Sequence, residues 1–316
     1  MNSPIALITG GGSGIGLAVA EHLINQHGYR VAILDVDSER VKRESERLGS
    51  SNCLGIHVDI TDYNQQANAF IQTFEWGSNR LDLFFANAGI GDTDSLYLDA
   101  YGLDEQTGLP KPLDLRTVNV NLDAVIQGIH ISRHIFTEKN SKPGGKIITS
   151  SSVVGIYANH PMPLYSTSKA GVVGLVRALA PVYLKDKITI NCLCPTLIET
   201  NLMPKHMVRE FHVPEETTPI STALKAIDPV VQDHSLTGQI MELTLNEVVF
   251  KQKPEYSRKN IKWMFDQSEM WERVCAPVGE SSFVKRNNAD TIVFKGLPRK
   301  PGDNAAYIKL PTEESF

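Results

Sequence analysis

A chain of 316 residues with 41% apolar and 21% charged side chains can bury a sizeable core, as one large α/β domain or two smaller ones. Its net charge of −5, without a dense Lys/Arg run, argues against a nucleic-acid surface. No apolar stretch approaches the roughly 20 residues that span a bilayer, and the opening MNSPIALITG lacks the basic start and small-residue cleavage site of a signal peptide.

From residue 5 to about 195, short β-branched runs alternate with longer helical patterns, which predicts a parallel sheet with crossover helices. Strands are predicted at 5–9, 30–36, 54–60, 81–88, 145–151, 188–194 and 239–245. Several are apolar throughout, as expected when helices cover both faces of a sheet. The segment GIGLAVAEHLINQHG ends at Gly28, a C-cap, and TDYNQQANAFIQTFEW opens with a Thr/Asp cap signal. Two long helices are predicted within 112–138 and 163–185. The polar insertion 91–111 and the irregular, proline-containing stretch 196–225 break the alternation, and long loops in compact α/β domains are frequently lids. Cys192 and Cys194 alternate along the sixth strand, so they should share one face as buried thiols rather than bind metal. With Cys53 and Cys275 they make no disulfide framework, and a reducing, cytoplasmic setting is expected. In the tail, Ile261, Met264, Phe265, Trp271 and Val274 fall on one helical face, suited to docking on the core, on a sister subunit or over a substrate pocket.

Residues 9–16, TGGGSGIG, follow the first strand and open the first helix, the context of a nucleotide-phosphate loop. Glycine lets a pyrophosphate approach the helix N-terminus, where free N–H groups and the dipole favour anions. The spacing is T-G-x-x-x-G-x-G, with Gly10, Gly14 and Gly16; the commoner G-x-G-x-x-G fails from Gly10 because Ile15 stands at its last position. Asp35 ends the second strand, where a carboxylate accepts both ribose hydroxyls of an adenosine and repels a 2′-phosphate. Neither Val36 nor Ser13 supplies a cation for such a phosphate, which favours NAD over NADP; the bland alternative is an Asp that merely ends a strand. Asp59-Ile60, ending the third strand, suits either the adenine edge or a helix cap. Asn87-Ala88-Gly89 ends the fourth, with small residues for a flat ligand and an Asn able to pin neighbouring strands, although the same residues also signal a turn. All these elements lie at the carboxyl ends of predicted parallel strands, the edge where open α/β sheets bind ligands.

YSTSK (165–169) and YLKDK (183–187) both place a tyrosine four residues before a lysine. Position separates them. Tyr165 lies near the start of the helix that follows the fifth strand, with Ser152 at that strand's end. Tyr183 lies at the helix's far end, near the opposite sheet edge. A phenol of pKa about 10 is a poor base at neutral pH, and a cation one helical turn away favours the phenolate.

Taken in order, TGGGSGIG, Asp35, Asp59-Ile60, NAG (87–89), Asn121 in NVNLDAVIQG, Ser152, Tyr165-x-x-x-Lys169 and CPTLIET (194–200) make residues 5–245 resemble the short-chain dehydrogenase/reductase family. TALKAIDPVVQD followed by LTGQIMELT is similar to its NAD-dependent 15-hydroxyprostaglandin dehydrogenase branch. The resemblance implies a Rossmann-type, doubly wound α/β fold, with a seven-stranded parallel sheet and helices on both faces. The domain would span 1–252, with substrate loops at 91–111 and 196–225, and 253–316 would be a C-terminal extension. It implies a tetrad in which Tyr165 is the general acid/base, Lys169 lowers its pKa and binds the nicotinamide ribose, Ser152 holds the substrate oxygen and Asn121 holds a relay water. Cofactor contacts would come from Gly10, Ser13, Gly14, Ile15, Gly16, Asp35, Asp59, Ile60, Asn87, Ala88, Gly89, Tyr165, Lys169, Ile198 and Thr200, and no metal is expected. Thr196 departs from the family's usual Pro-Gly after the sixth strand, and either the local backbone or the nicotinamide pocket should differ there. The expected activity is NAD-dependent oxidation of a secondary alcohol on a bulky apolar substrate of lipid, terpenoid, steroid or polyketide type. The alternatives are an NADP-dependent ketone reductase and a non-redox dinucleotide-binding protein. Partners implied are a small apolar alcohol or ketone and a second copy in a homodimer or homotetramer, without nucleic acid or a membrane span.

Overall fold

In a computed structural model, residues 3–97, 102–200, 202, 214–267, 284–286 and 292–294 are described. The chain divides into two compact units, Met1–Gln252 and Lys253–Phe316.

The first unit is built on one sheet in the order β3-β2-β1-β4-β5-β6-β7-β8. Its strands are β1 (Ile5–Thr9), β2 (Arg30–Asp35), β3 (Cys53–His57), β4 (Leu83–Ala86), β5 (Gly145–Ser150), β6 (Ile188–Pro195), β7 (Ile240–Thr244) and β8 (Glu247–Lys251). The seven predicted strands pair in parallel, and β8 adds an eighth, antiparallel to β7, that the seven-strand expectation lacked. β8 reads EVVFK with no fully buried residue, so it carries no core-strand signal. It follows β7 through a tight turn in which Leu245 takes φ 48°, and no glycine marks the reversal. The chain order reverses between β1 and β4, so the two halves of the sheet diverge there and leave a crevice at their carboxyl ends.

Apolar runs without alternation are explained by two cores. Ile5 and Leu7 face one with Phe70, Phe84 and Val172, while Ala6 and Ile8 face the other with Val19, Leu23 and Val230. The covering helices are α1 (Gly14–His27), α2 (Ser38–Leu48), α3 (Tyr63–Trp76), α4 (Arg116–Val118), α5 (Ala124–His134), α6 (Pro163–Tyr183) and α7 (Ile220–Gln232). α1 ends at Gly28, which adopts the left-handed conformation (φ 64°) and donates to Leu23. Asp62 caps α3 by accepting from Asn64 and Gln65. Between α4 and α5, Asn119–Asp123 winds as a π-helical turn, and a second such turn follows at Ile135–Lys139. The stretch expected to be irregular to 225 instead enters α7 at Ile220, with Pro219 as its N-cap residue and Pro229 inside it.

In the second unit α8 (Lys259–Asp266) is a short helix, and Val284–Arg286 pairs antiparallel with Ile292–Phe294. Tyr256 stacks on Phe265 at 5.3 Å, with the Lys253 ammonium over both rings. Trp271, Val274, Cys275 and Met203 lie outside the described residues. No helix among the described residues is long and apolar enough to cross a membrane.

Candidate active site

The carboxyl ends of β1 to β6 open onto a cleft of about 570 Å³. Every residue proposed from sequence for catalysis or cofactor contact lines it except Gly16 and Asn121, which lie behind its wall.

At one end the TGGGSGIG loop turns into α1. Gly10 has φ +63°, and a Cβ there would come within 2.9 Å of the Ala88 backbone; one on Gly16 would come within 2.3 Å of the Gly10 carbonyl. The loop is therefore as close to the β4 exit as backbone can be, leaving an uncluttered cradle at the helix N-terminus. Asp35 Oδ2 accepts from the Gly12 N–H at 3.1 Å and Oδ1 from the Asp37 N–H at 3.2 Å. A carboxylate oxygen can accept more than one bond, so Asp35 retains acceptor capacity toward the cleft that it lines. A cation stands beside it that the sequence reading did not consider. Arg40, in the first turn of α2, also lines the cleft, 3.5 Å from Ser13 Oγ and 3.0 Å from Asp37. Positions 13 and 36 carry no such charge; a helix following the strand brings the fifth residue after Asp35 back over the loop. Asp59 lines the cleft and accepts from the Thr61 N–H and hydroxyl in the turn before α3, whose cap is Asp62 instead.

Asn87 ties the sheet together at the switch point. Its Nδ2 donates to the Thr9 and Gly10 carbonyls, at 3.1 and 3.3 Å, and its Oδ1 accepts from Ser150 Oγ at 3.0 Å. The Thr9 hydroxyl accepts from the Asn87 and Ala88 N–H groups. Asn121 lies fully buried on the π-helical turn. Its side chain accepts from the Ile90 N–H and donates to the Ile90 carbonyl, both at 2.9 Å, and donates to Ser168 at 3.2 Å. That amide is committed to the loop after β4.

At the far end, α6 presents Tyr165 and Lys169 to the cleft one turn apart, and Ser152 follows β5. The Ser152 hydroxyl donates to the Pro195 carbonyl at 3.3 Å and lies close enough to the Tyr165 phenol to act on its ionisation. Lys169 Nζ lies 5.5 Å from the Tyr165 ring centre and donates to the Ser150 carbonyl at 2.9 Å. Burial pushes Tyr165 above the ordinary phenol value; the Ser152 hydrogen bond pulls it down, and the Asp92 charge pushes it up again. Burial also lowers Lys169 to about 8, against the thiols of Cys192 and Cys194 nearby. In the protein alone, therefore, the expected lowering of the tyrosine pKa by the lysine is not what emerges. Desolvation disfavours both charged forms and outweighs their attraction. Cys192 and Cys194 do share one buried face, with Sγ atoms 3.8 Å apart, and they are free thiols. Tyr183, at the other end of α6, packs instead in a core cluster with the Arg133 guanidinium over its ring.

Thr196 lines the cleft without positive φ. Its N–H and hydroxyl both reach the Leu243 carbonyl, at 3.0 and 2.9 Å, and its hydroxyl meets Thr218 Oγ1 at 2.6 Å. The backbone at this point does not need glycine, and the side chain ties the β6 exit to β7 and the approach to α7.

A glycine loop at the β1 exit, a carboxylate at the β2 tip and a Ser–Tyr–Lys cluster on the β5–α6 side define a dinucleotide-dependent oxidoreductase cleft of the doubly wound type. The sequence profile described as short chain dehydrogenase matches residues 4–209, and the chain belongs to that family. It is similar to the short-chain dehydrogenase/reductase prx6 of Penicillium rubens, 30% identical over 246 residues covering 77% of this chain and 81% of the relative. It is also similar to 15-hydroxyprostaglandin dehydrogenase [NAD(+)] of Mus musculus, 26% identical over 282 residues covering 83% and 97%. Among solved structures, levodione reductase superposes with a TM-score of 0.63 at 25% identity, covering 76% of this chain and 96% of that one. A 3-ketoacyl-(acyl-carrier-protein) reductase from Brucella melitensis complexed with NADH shares the fold, with a TM-score of 0.64 at 24% identity, covering the same shares.

Proposed function

We propose that the protein oxidises a secondary alcohol on a bulky, largely apolar substrate, with NAD as hydride acceptor and Tyr165 as general base. The observation that carries the proposal is the meeting of Ser152, Tyr165 and Lys169 in one cleft whose other end presents the Asp35 carboxylate beside a glycine cradle. The nicotinamide, when bound, supplies the hydride acceptor. Ser152 donates to the substrate oxygen and steadies it as charge develops. Tyr165 Oη takes the hydroxyl proton. Lys169, cationic for the most part at pH 7 with a pKa of about 8, attracts the phenolate once cofactor and substrate displace water from the cleft. The Asn121 amide is engaged with Ile90, so a relay water would be held by its main-chain carbonyl on the π-helical turn.

The apolar preference is supported by Ile90 and Leu202 in the cleft wall and by exposed Leu96, Tyr97, Leu103 and Leu109 on the segment that leaves the cleft at Gly91. The likeness to a prostaglandin dehydrogenase points the same way. Three buried free thiols fit a reducing, cytoplasmic setting. Arg40 favours a second reading, an NADP-dependent ketone reductase, since its guanidinium beside Ser13 on the cleft wall could pair with a 2′-phosphate. Asp35 and the existing Arg40–Asp37 ion pair weigh against it. Purified protein offered a panel of lipid, terpenoid and steroid alcohols should raise absorbance at the reduced-nicotinamide band faster with NAD than with NADP. Tyr165→Phe should lower that rate at least about a hundredfold. Faster turnover with NADP, or full activity in Y165F, refutes the reading.

A further inference from the structure

The loop leaving β4 carries a carboxylate that none of the roles above uses. Asp92 Oδ1 accepts a hydrogen bond from the Tyr165 backbone N–H in the first turn of α6, and the neighbouring Leu164 N–H also pulls on the carboxylate. That helix needs an outside acceptor, because its N-cap residue, Met162, makes no side-chain cap and Pro163 fills the first position. Asp92 supplies the cap from 73 residues away in the chain. The other oxygen, Oδ2, is buried with no hydrogen-bond partner among the described residues. A carboxylate oxygen withdrawn from water and left unpaired is rare in proteins, and burial raises the Asp92 pKa against the pull of the Tyr165 and Leu164 N–H groups; once ionised it acts on whatever charge lies nearest. Around Tyr165 stand the Ser152 hydroxyl after β5, the Lys169 ammonium on α6 itself, 5.5 Å from the ring centre, and this carboxylate on the β4 loop, which meets the Tyr165 backbone N–H and acts on the phenol only through its charge.

We propose that Asp92 is a positioning residue that clasps the substrate loop to the first turn of the catalytic helix and sets the pH at which Tyr165 gives up its proton. The inference rests on the reading of Tyr165 as the general base. Two effects act in the same direction. The anion opposes a second negative charge on the phenol, and it cancels the field of the first-turn amides that would otherwise favour phenolate. Tyr165 thus keeps its proton in the empty enzyme, and the clasp holds Gly89–Gly91 at the cleft wall beside it.

The test uses the full chain labelled with [13Cζ]tyrosine, in which the Tyr165 resonance is the one lost in Y165F. Asn is as good a helix cap as Asp but carries no charge. Asp92→Asn should therefore keep the clasp and lower the pH of Tyr165 ionisation by about half a unit or more. In the alcohol oxidation assay the acidic limb of kcat/KM should move down by the same amount, with KM little changed. Asp92→Ala should shift the ionisation likewise and also raise KM several-fold by freeing the loop. An unchanged Tyr165 titration in D92N overturns the proposal, and D92N decides alone if D92A does not fold. Because the titration needs no substrate, absence of turnover in the wild type would refute the proposed function without touching this result.

Discussion

Asp35 and Arg40 put opposite charges at the glycine-loop end of the cleft, and under the proposed function their balance decides which dinucleotide fits. Asp35→Ser removes the charge that repels a 2′-phosphate and leaves Arg40 in place to meet one. The ratio of kcat/KM for NAD over NADP should fall at least roughly tenfold in D35S, and Arg40→Ala added to it should lose the NADP gain. Initial rates with both cofactors read this directly. A D35S variant that still prefers NAD by the wild-type margin would mean that ribose selection lies elsewhere. Asp35 was legible in the sequence because a strand tip has a fixed place at the sheet edge. Arg40 was not, because its approach depends on how α2 folds back, and helix entry geometry leaves no mark in residue spacing. The Tyr165–Lys169 pair was legible as a pair, but its electrostatics were not. Charge attraction can be read from a four-residue interval, whereas desolvation depends on the many residues that close over the pair. Asp92 was hidden for a similar reason, since a cap supplied from another segment has no local signature.

Among the elements, β6 and its exit show how a departure from the family pattern is accommodated. Thr196 replaces conformational freedom with two hydroxyl contacts, to Leu243 and Thr218, that hold β6, β7 and the start of α7 together. Thr196→Gly should therefore destabilise the protein by about 1–2 kcal/mol, through lost hydrogen bonds and a looser unfolded chain. Urea unfolding measures it, and a stability equal to wild type would show that the threonine is merely tolerated. The parallel strands and long helices were readable from apolar runs and periodicity, because two cores demand them. α7 was obscured by Pro219 and Pro229, yet proline at the N-cap is harmless, and an interior proline forfeits one hydrogen bond that tertiary burial offsets. β8 escaped notice because an edge strand needs no buried face.

In the whole first unit, one carboxylate joins the first helix to the last. His22 and His27 of α1 both hydrogen-bond Asp228 Oδ1 on α7, at 2.6 and 2.8 Å. Burial disfavours ionisation of Asp228, but the two histidine hydrogen bonds outweigh it and hold its pKa below the usual 3.8. A carboxylate lowered by folding stabilises the native state above its unfolded pKa, and that contribution disappears as pH falls through the lower folded value. The difference in Tm between wild type and Asp228→Asn should thus be full above about pH 5 and vanish toward pH 3. A constant difference across that range, by calorimetry, would place the effect in packing instead.

The Asn87 amide has a consequence in time. As the chain is made, β1 and the glycine loop emerge first, with the Thr9 and Gly10 carbonyls awaiting a partner from a strand not yet synthesised. Asn87 arrives with β4, and its own oxygen then waits for Ser150 at the end of β5. The glycine loop consequently reaches its final shape only after β4 and β5 have been made, although it precedes both in the chain. A chain cut before β5 would carry the glycine-loop sequence without the full set of bonds that fix the loop's shape.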